Sequence, residues 1–131
     1  MKGFYIHTVE GGYVPPYEHL PADGVTPEIG MALSLEGGKL AVATGAKKPT
    51  HISMCKKDTA FANGELLPVI AANDAITFAV PASVANTVPI GGKVTIASGG
   101  CEVTATTEGG VAMIVGREGE AKGDIQYVKF I

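Results

Sequence analysis

Five Gly-Gly doublets divide this chain into pieces the length of single strands, which restricts it to short β-strands joined by tight turns. Glycine enters the left-handed backbone region without strain, and hairpin turns need that region. Two of the pieces read as one unit written twice. The first runs Ile29-Gly30-Met31-Ala32-Leu33-Ser34-Leu35, turns at Gly37-Gly38 and returns through Leu40-Ala41-Val42. The second runs Ile90-Gly91-Gly92-Lys93-Val94-Thr95-Ile96, turns at Gly99-Gly100 and returns through Cys101-Glu102-Val103-Thr104. Apolar residues at every second position are the signature of a strand with one buried face. The repeat predicts equivalent hairpins over 29–42 and 90–104, with Leu33, Leu35, Val94 and Ile96 pointing inward. A third strand follows each hairpin, over 50–54 and 111–115.

The remaining pieces continue this spacing. Residues 65–71 read as a strand that Pro68 demotes to an edge or bulged position, because proline has no N–H for a ladder. Ala75 to Val80 alternates. Pro81 to Pro89 has room for one helical turn. Val111–Val115 and Asp124–Ile131 flank a polar loop at 116–123 and read as a long hairpin. No segment carries the periodicity of an ordinary helix. Residues 29–131 are therefore expected to form an all-β domain, a small β-barrel or β-sandwich of short antiparallel strands.

Residues 1–28 differ in composition. They hold four of the eight prolines (Pro15, Pro16, Pro21, Pro27) and four of the eight aromatics (Phe4, Tyr5, Tyr13, Tyr17). Dense proline favours extended backbone, while aromatics left in water waste apolar surface. An extended N-terminal arm that lies on something satisfies both facts. That something is either a partner or the chain's own domain. The expectation taken forward is attachment: Phe4, Tyr5, Ile6, Val9, Tyr13 and Tyr17 as partner contacts, with residues 1–20 adding little to the fold.

Composition excludes several functions. Net charge is −3 and Arg117 is the only arginine, so no basic stripe exists to neutralise nucleic-acid phosphates. No apolar run approaches a membrane span, and no apolar leader follows Lys2, so synthesis in the cytoplasm is expected. Cys55 and Cys101 fit no metal pattern and no disulfide framework; they read as reduced small hydrophobes, with a single bridge as the other option. His7, His19 and His51 have no ligand spacing. His51, Ser53 and Asp58 hold the residue types of a nucleophilic triad but lack an elbow motif. No catalytic, metal or cofactor site is expected. Lys47, Lys48, Lys56 and Lys57 flank the 50–54 strand and form a second, weaker candidate contact, to an acidic partner.

A family resemblance lies in the same segments. Gly30-Met31-Ala32-Leu33 with Gly38-Lys39-Leu40, Lys48-Pro49-Thr50-His51-Ile52, Leu67-Pro68-Val69, Gly92-Lys93-Val94-Thr95-Ile96, Val103-Thr104-Ala105-Thr106-Thr107 and Gly110-Val111-Ala112-Met113-Ile114-Val115 together resemble small capsid decoration (head-stabilising, or cement) proteins of tailed bacteriophages and prophages. The resemblance covers about residues 29–131 and rests on glycine-punctuated β patterns. It implies a virion structural protein, not an enzyme, that binds the major capsid protein on the outside of the head, commonly as a homo-trimer. Such proteins often use an N-terminal arm to pair with a capsid strand. Two other readings stay open: a tail or baseplate binding module with a protein or carbohydrate ligand, and a small β-fold enzyme or metal-binding protein.

Overall fold

Gly37 and Gly38 take φ values of 56° and 81° between β3 (Ala32–Glu36) and β4 (Lys39–Val42). Positive φ at both central residues is the turn whose twist matches paired strands, and it sets the register Leu35↔Leu40 and Glu36↔Lys39. The same logic repeats through residues 2–131, which the computed structural model describes. The other strands are β1 (Tyr5–Val9), β2 (Glu18–Ala22), β5 (His51–Ser53), β6 (Glu65–Ala71), β7 (Ile76–Pro81), β8 (Lys93–Val94), β9 (Ala112–Arg117) and β10 (Ile125–Phe130). Among the described residues only a 3-10 turn at Glu10–Gly12 is helical.

The chain is all-β, as its punctuation requires. Strands β2-β4-β3-β5-β6 close into a barrel, and β1-β7-β10-β9-β8 form an open sheet. Every pairing between these strands is antiparallel except β2 with β4, which meet in parallel at the single pair Ala22↔Leu40. The β9–β10 hairpin brackets the polar loop where the sequence placed it.

The two glycine-marked units are not equivalent. Residues 29–42 form a full hairpin inside the barrel. Residues 90–104 form only two strand residues, β8, followed by an isolated bridge, Ile96↔Val103. Ile96 also bridges to Gly45, so this unit is divided between neighbours and cannot continue one ladder. Leu33, Val94 and Ile96 are buried as expected, but Leu35 is 38% exposed. The cause is the short β5, which covers β3 only at Ala32 and Leu33. Beyond that point β3 has no strand on one side.

The largest correction concerns residues 1–28. Residues 2–28 are not an arm. β1 is paired antiparallel with β7, Tyr5 opposite Ala79, and β2 lies in the barrel between β4 and β6. Phe4 is fully buried, and its ring stands 6.3 Å from Phe78 and 5.2 Å from Phe130. A chain with so few aromatics builds the centre of its sheet core from three of its four phenylalanines, and the first of them comes from this segment. Backbone bonds fix the entry: Gly3 N–H donates to Cys101 O at 2.8 Å and Phe4 N–H to Gly30 O at 2.7 Å.

The prolines do not prevent this, because of where their missing donors fall. Pro15 and Pro16 lie between β1 and β2. Ala22 C=O accepts from Gly64 N–H on the β6 side, so the neighbouring Pro21 turns its donorless nitrogen toward β4, where the seam has one pair. Pro68 sits inside β6, between β5 and β2 and not at a sheet edge. Its carbonyl accepts from Met54 N–H, one residue beyond the last β5 pair, Ser53↔Val69. Its missing N–H therefore faces a strand that has already ended. The 81–89 segment holds no helical turn. Beyond Ala82 it is irregular, with a bend at Ser83–Val84, and is pinned by buried Asn86, whose side chain donates to Thr104 O and accepts from Val88 N–H, each at 3.1 Å.

Two apolar cores result. One lies under the open sheet (Phe4, Ile76, Phe78, Val80, Ile114, Val128, Phe130) and one inside the barrel (Leu33, Leu40, Phe61, Leu67, Val69).

Candidate interaction surface

The connection between β1 and β2 has the sequence Glu10-Gly11-Gly12-Tyr13-Val14-Pro15-Pro16-Tyr17. Gly11 and Gly12 take φ values of 75° and 70°, which reverse the chain as it leaves the sheet. The two prolines then hold it extended. Tyr13 is 75% exposed, Val14 57% and Tyr17 61%, while Pro15 between them is buried. At the start of the connection Lys129 of β10 donates to Glu10 at 2.9 Å. That contact holds the Glu10 carboxyl below its ordinary range. At the other end Glu18 approaches His51 at 3.8 Å. The loop thus leaves β1 of the open sheet and enters β2 of the barrel, and three large apolar side chains face solvent between them. Beside this loop, β1 is terminal in the open sheet, so its outer edge carries no strand. Its central residues Ile6, His7 and Thr8 are exposed, and the register shifts between Ile6 and Thr8.

This divides the expected contact residues. Tyr13, Tyr17 and Ile6 are on the surface. Tyr5 and Val9 are half-buried; the Tyr5 hydroxyl donates to Ile29 O at 3.4 Å, and Val9 packs on the sheet core. Phe4 is interior and unavailable. Val14 joins the exposed set although nothing in the aromatic spacing singles it out. The signal for it is its position between Tyr13 and the proline pair, which prevents it from turning inward as a strand residue would.

The lysine cluster is largely neutralised by its own surface. Lys47 pairs with Glu36, Lys56 with Glu28 at 3.7 Å, and Lys57 with Glu65 at 3.1 Å. The Lys57 ammonium also lies 4.5 Å from the Phe61 ring centre. Lys48 has no ion pair among the described residues. The four do not add up to an open basic patch.

The histidines are placed apart. His7 stacks on Tyr127 with ring centres 4.1 Å apart. His19 is exposed on β2, in register with Pro68. His51 shares a hydrogen bond with the Thr50 hydroxyl at 2.8 Å, and burial pulls its imidazole below its ordinary value against the opposing pull of Glu18. Ser53, buried two residues on, donates its hydroxyl to Cys55 O at 2.9 Å and so does not serve His51. No cluster of three His, Cys, Asp or Glu residues suited to a metal occurs among the described residues. Cys55 and Cys101 are both free thiols against the barrel core. Burial, with Glu28 and Glu102 adding to it, pushes the Cys101 thiol up to about 11. A shallow groove of about 480 Å³ lies elsewhere, lined by Lys2, Pro81, Ser83, Glu102, Lys122 and Gly123. No helix among the described residues is long and apolar enough to cross a membrane.

Comparison with protein-family models, with curated proteins and with solved structures finds no match to this chain.

Proposed function

We propose that this chain is a capsid decoration protein that binds the outer surface of a phage head and stabilises it. The observation that carries this reading is the β1–β2 loop: Tyr13, Val14 and Tyr17 exposed on a segment strung between β1 of the open sheet and β2 of the barrel. Tyrosine combines a large apolar body with a polar tip and loses little rotamer freedom on docking, which suits a protein–protein contact. The open edge of β1 offers main-chain groups to an extended segment of the major capsid protein, and such pairing makes little sequence demand. Three copies around a three-fold position would multiply a weak single contact. Location on the virion follows from this reading.

The attachment element in this proposal is therefore a preformed loop and edge, not a free arm. Burying one tyrosine contributes about 1.5–3 kcal/mol by area before ordering costs. Purified heads of the phage or prophage that encodes the chain supply the test. Wild type should cosediment with them at saturable occupancy. The double substitution Tyr13→Ser, Tyr17→Ser should weaken binding at least about tenfold, each 1.4 kcal/mol being one decade, with unchanged thermal unfolding. Full occupancy by the double variant would remove the loop from the attachment surface. Failure of the wild type to bind would return the tail or baseplate module as the next reading.

A further inference from the structure

Of the three asparagines in the chain, Asn63 alone is followed by glycine. Both Asn63 and Gly64 are exposed, in the turn that opens β6. An asparagine–glycine pair is chemically weak at this link because glycine leaves its own nitrogen unhindered. The Gly64 nitrogen attacks the Asn63 side-chain carbonyl carbon and gives its proton to solvent base. Ammonia leaves and a five-membered imide forms. Water then opens the ring at either carbonyl, giving aspartate or isoaspartate. The net change is amide plus water to carboxylate plus ammonium, with no oxidant or reductant.

In the folded chain three bonds hold this turn against ring closure. Gly64 N–H donates to Ala22 O of β2 at 2.9 Å, Glu65 N–H to Ala62 O at 2.9 Å, and Ala62 N–H to the Glu65 carboxylate at 2.9 Å. Gly64 has φ of +85°, and with the Glu65-to-Ala62 bond this defines a turn in which glycine occupies the left-handed position. For the Gly64 nitrogen to reach the Asn63 side chain, its bond to Ala22 must break and the turn must rotate.

We infer that Asn63-Gly64 is a deamidation site that the fold keeps latent, and that it is released when the β2–β6 seam of the barrel opens. The inference is independent of the capsid reading. Its consequence is local and cumulative. The isoaspartate product lengthens the backbone by one carbon immediately before the pair Ala22↔Glu65. Both products add a negative charge two residues before Glu65, the carboxylate that holds Ala62 N–H and Lys57. Each event therefore weakens the seam whose opening permitted it.

The test uses the full chain aged in mildly alkaline buffer, with peptide mass spectrometry locating each converted amide and an isoaspartate assay on the Asn63 peptide. In strong urea Asn63 should convert well ahead of Asn73 and Asn86. In the folded protein the Asn63 rate should be at least about tenfold lower, since reaction requires local opening. The substitution Leu20→Ala, which thins the barrel packing of β2, should raise the folded rate several-fold. Graded urea below the unfolding transition should do the same for the wild type, so the outcome does not depend on that variant folding. Equal rates in folded and unfolded protein would overturn the latency. Conversion spread evenly over the three asparagines in urea would overturn the site. A folded rate insensitive to both Leu20→Ala and graded urea would overturn the assignment to the β2–β6 seam.

Discussion

Phe4 connects the first residues of the chain to the centre of the sheet core, and its energetic role follows from that position. Deleting a fully buried phenylalanine ring removes its transfer energy and leaves a cavity between Phe78 and Phe130; Phe4→Ala is expected to lower stability by about 3–5 kcal/mol in urea unfolding. Gly30 makes that placement possible. Its φ is +85°, and a Cβ there would stand 2.8 Å from Phe4 N and 3.0 Å from Gly3 Cα. Both contacts are to backbone, which cannot move aside without breaking the Phe4-to-Gly30 bond. Gly30→Ala should cost about 1–3 kcal/mol from strain alone, whereas exposed Gly64, with open space around its Cβ position, would suffer only from its φ. His51 supplies a pH test. Its folded pKa lies below the ordinary 6.5, chiefly through burial. The unfolded chain therefore binds the proton more readily, and the contribution of neutral His51 is complete above 6.5 and shrinks as pH falls toward the depressed folded value. Unfolding midpoints should decline across that window, and His51→Gln should flatten the decline. An unchanged slope in the variant would place the proton uptake elsewhere.

At the scale of elements, the N-terminal segment is where sequence reasoning and structure part. Deleting residues 2–14 removes Phe4, the whole of β1 and the Glu10–Lys129 contact. It should lower the thermal midpoint sharply, with loss of about 3 kcal/mol or more, and not leave it unchanged. A truncated protein with wild-type stability would show that β1 is dispensable. The strand-and-turn content was legible because glycine doublets act locally: Gly37-Gly38 sets a hairpin through its own φ angles. Alternation within 32–35 likewise reported the face of Leu33. What alternation does not report is the length of the neighbouring strand, and the short β5 leaves Leu35 uncovered. Proline density points to an arm over 1–28 and Pro68 to an edge or bulge, but a proline removes only a ladder bond on one side, and Pro21 and Pro68 each face a seam that has one pair or has ended. The exposed loop at 13–17 was legible in part, since Tyr13 and Tyr17 lie among prolines with no strand pattern. The division of Phe4 from those tyrosines was not, because it depends on Phe78 and Phe130, which are distant in sequence.

At the scale of the whole molecule, the open sheet and the barrel share their boundary. Ala32 at the start of β3 donates to Gly100 O at 2.8 Å, and Gly45 after β4 exchanges backbone bonds with Ile96. Gly3 binds Cys101, a barrel-core residue, one position before Phe4 enters the sheet core. Gly100 has little freedom, since a Cβ there would meet Val42 at 2.9 Å and Ala32 O at 3.1 Å. The chain also crosses between the two layers twice: β1 is in the sheet, β2 to β6 in the barrel, and β7 to β10 in the sheet again. Removing either layer strips the other of covered surface and of its chain entry. Chains of this length with such shared contacts unfold as one unit. Leu33→Ala in the barrel and Ile114→Ala under the sheet should each shift a single transition, by about 2–5 kcal/mol. Far-ultraviolet dichroism and tyrosine fluorescence should report the same midpoint for both variants. Two transitions, with Leu33→Ala moving one and Ile114→Ala the other, would make the layers independent units.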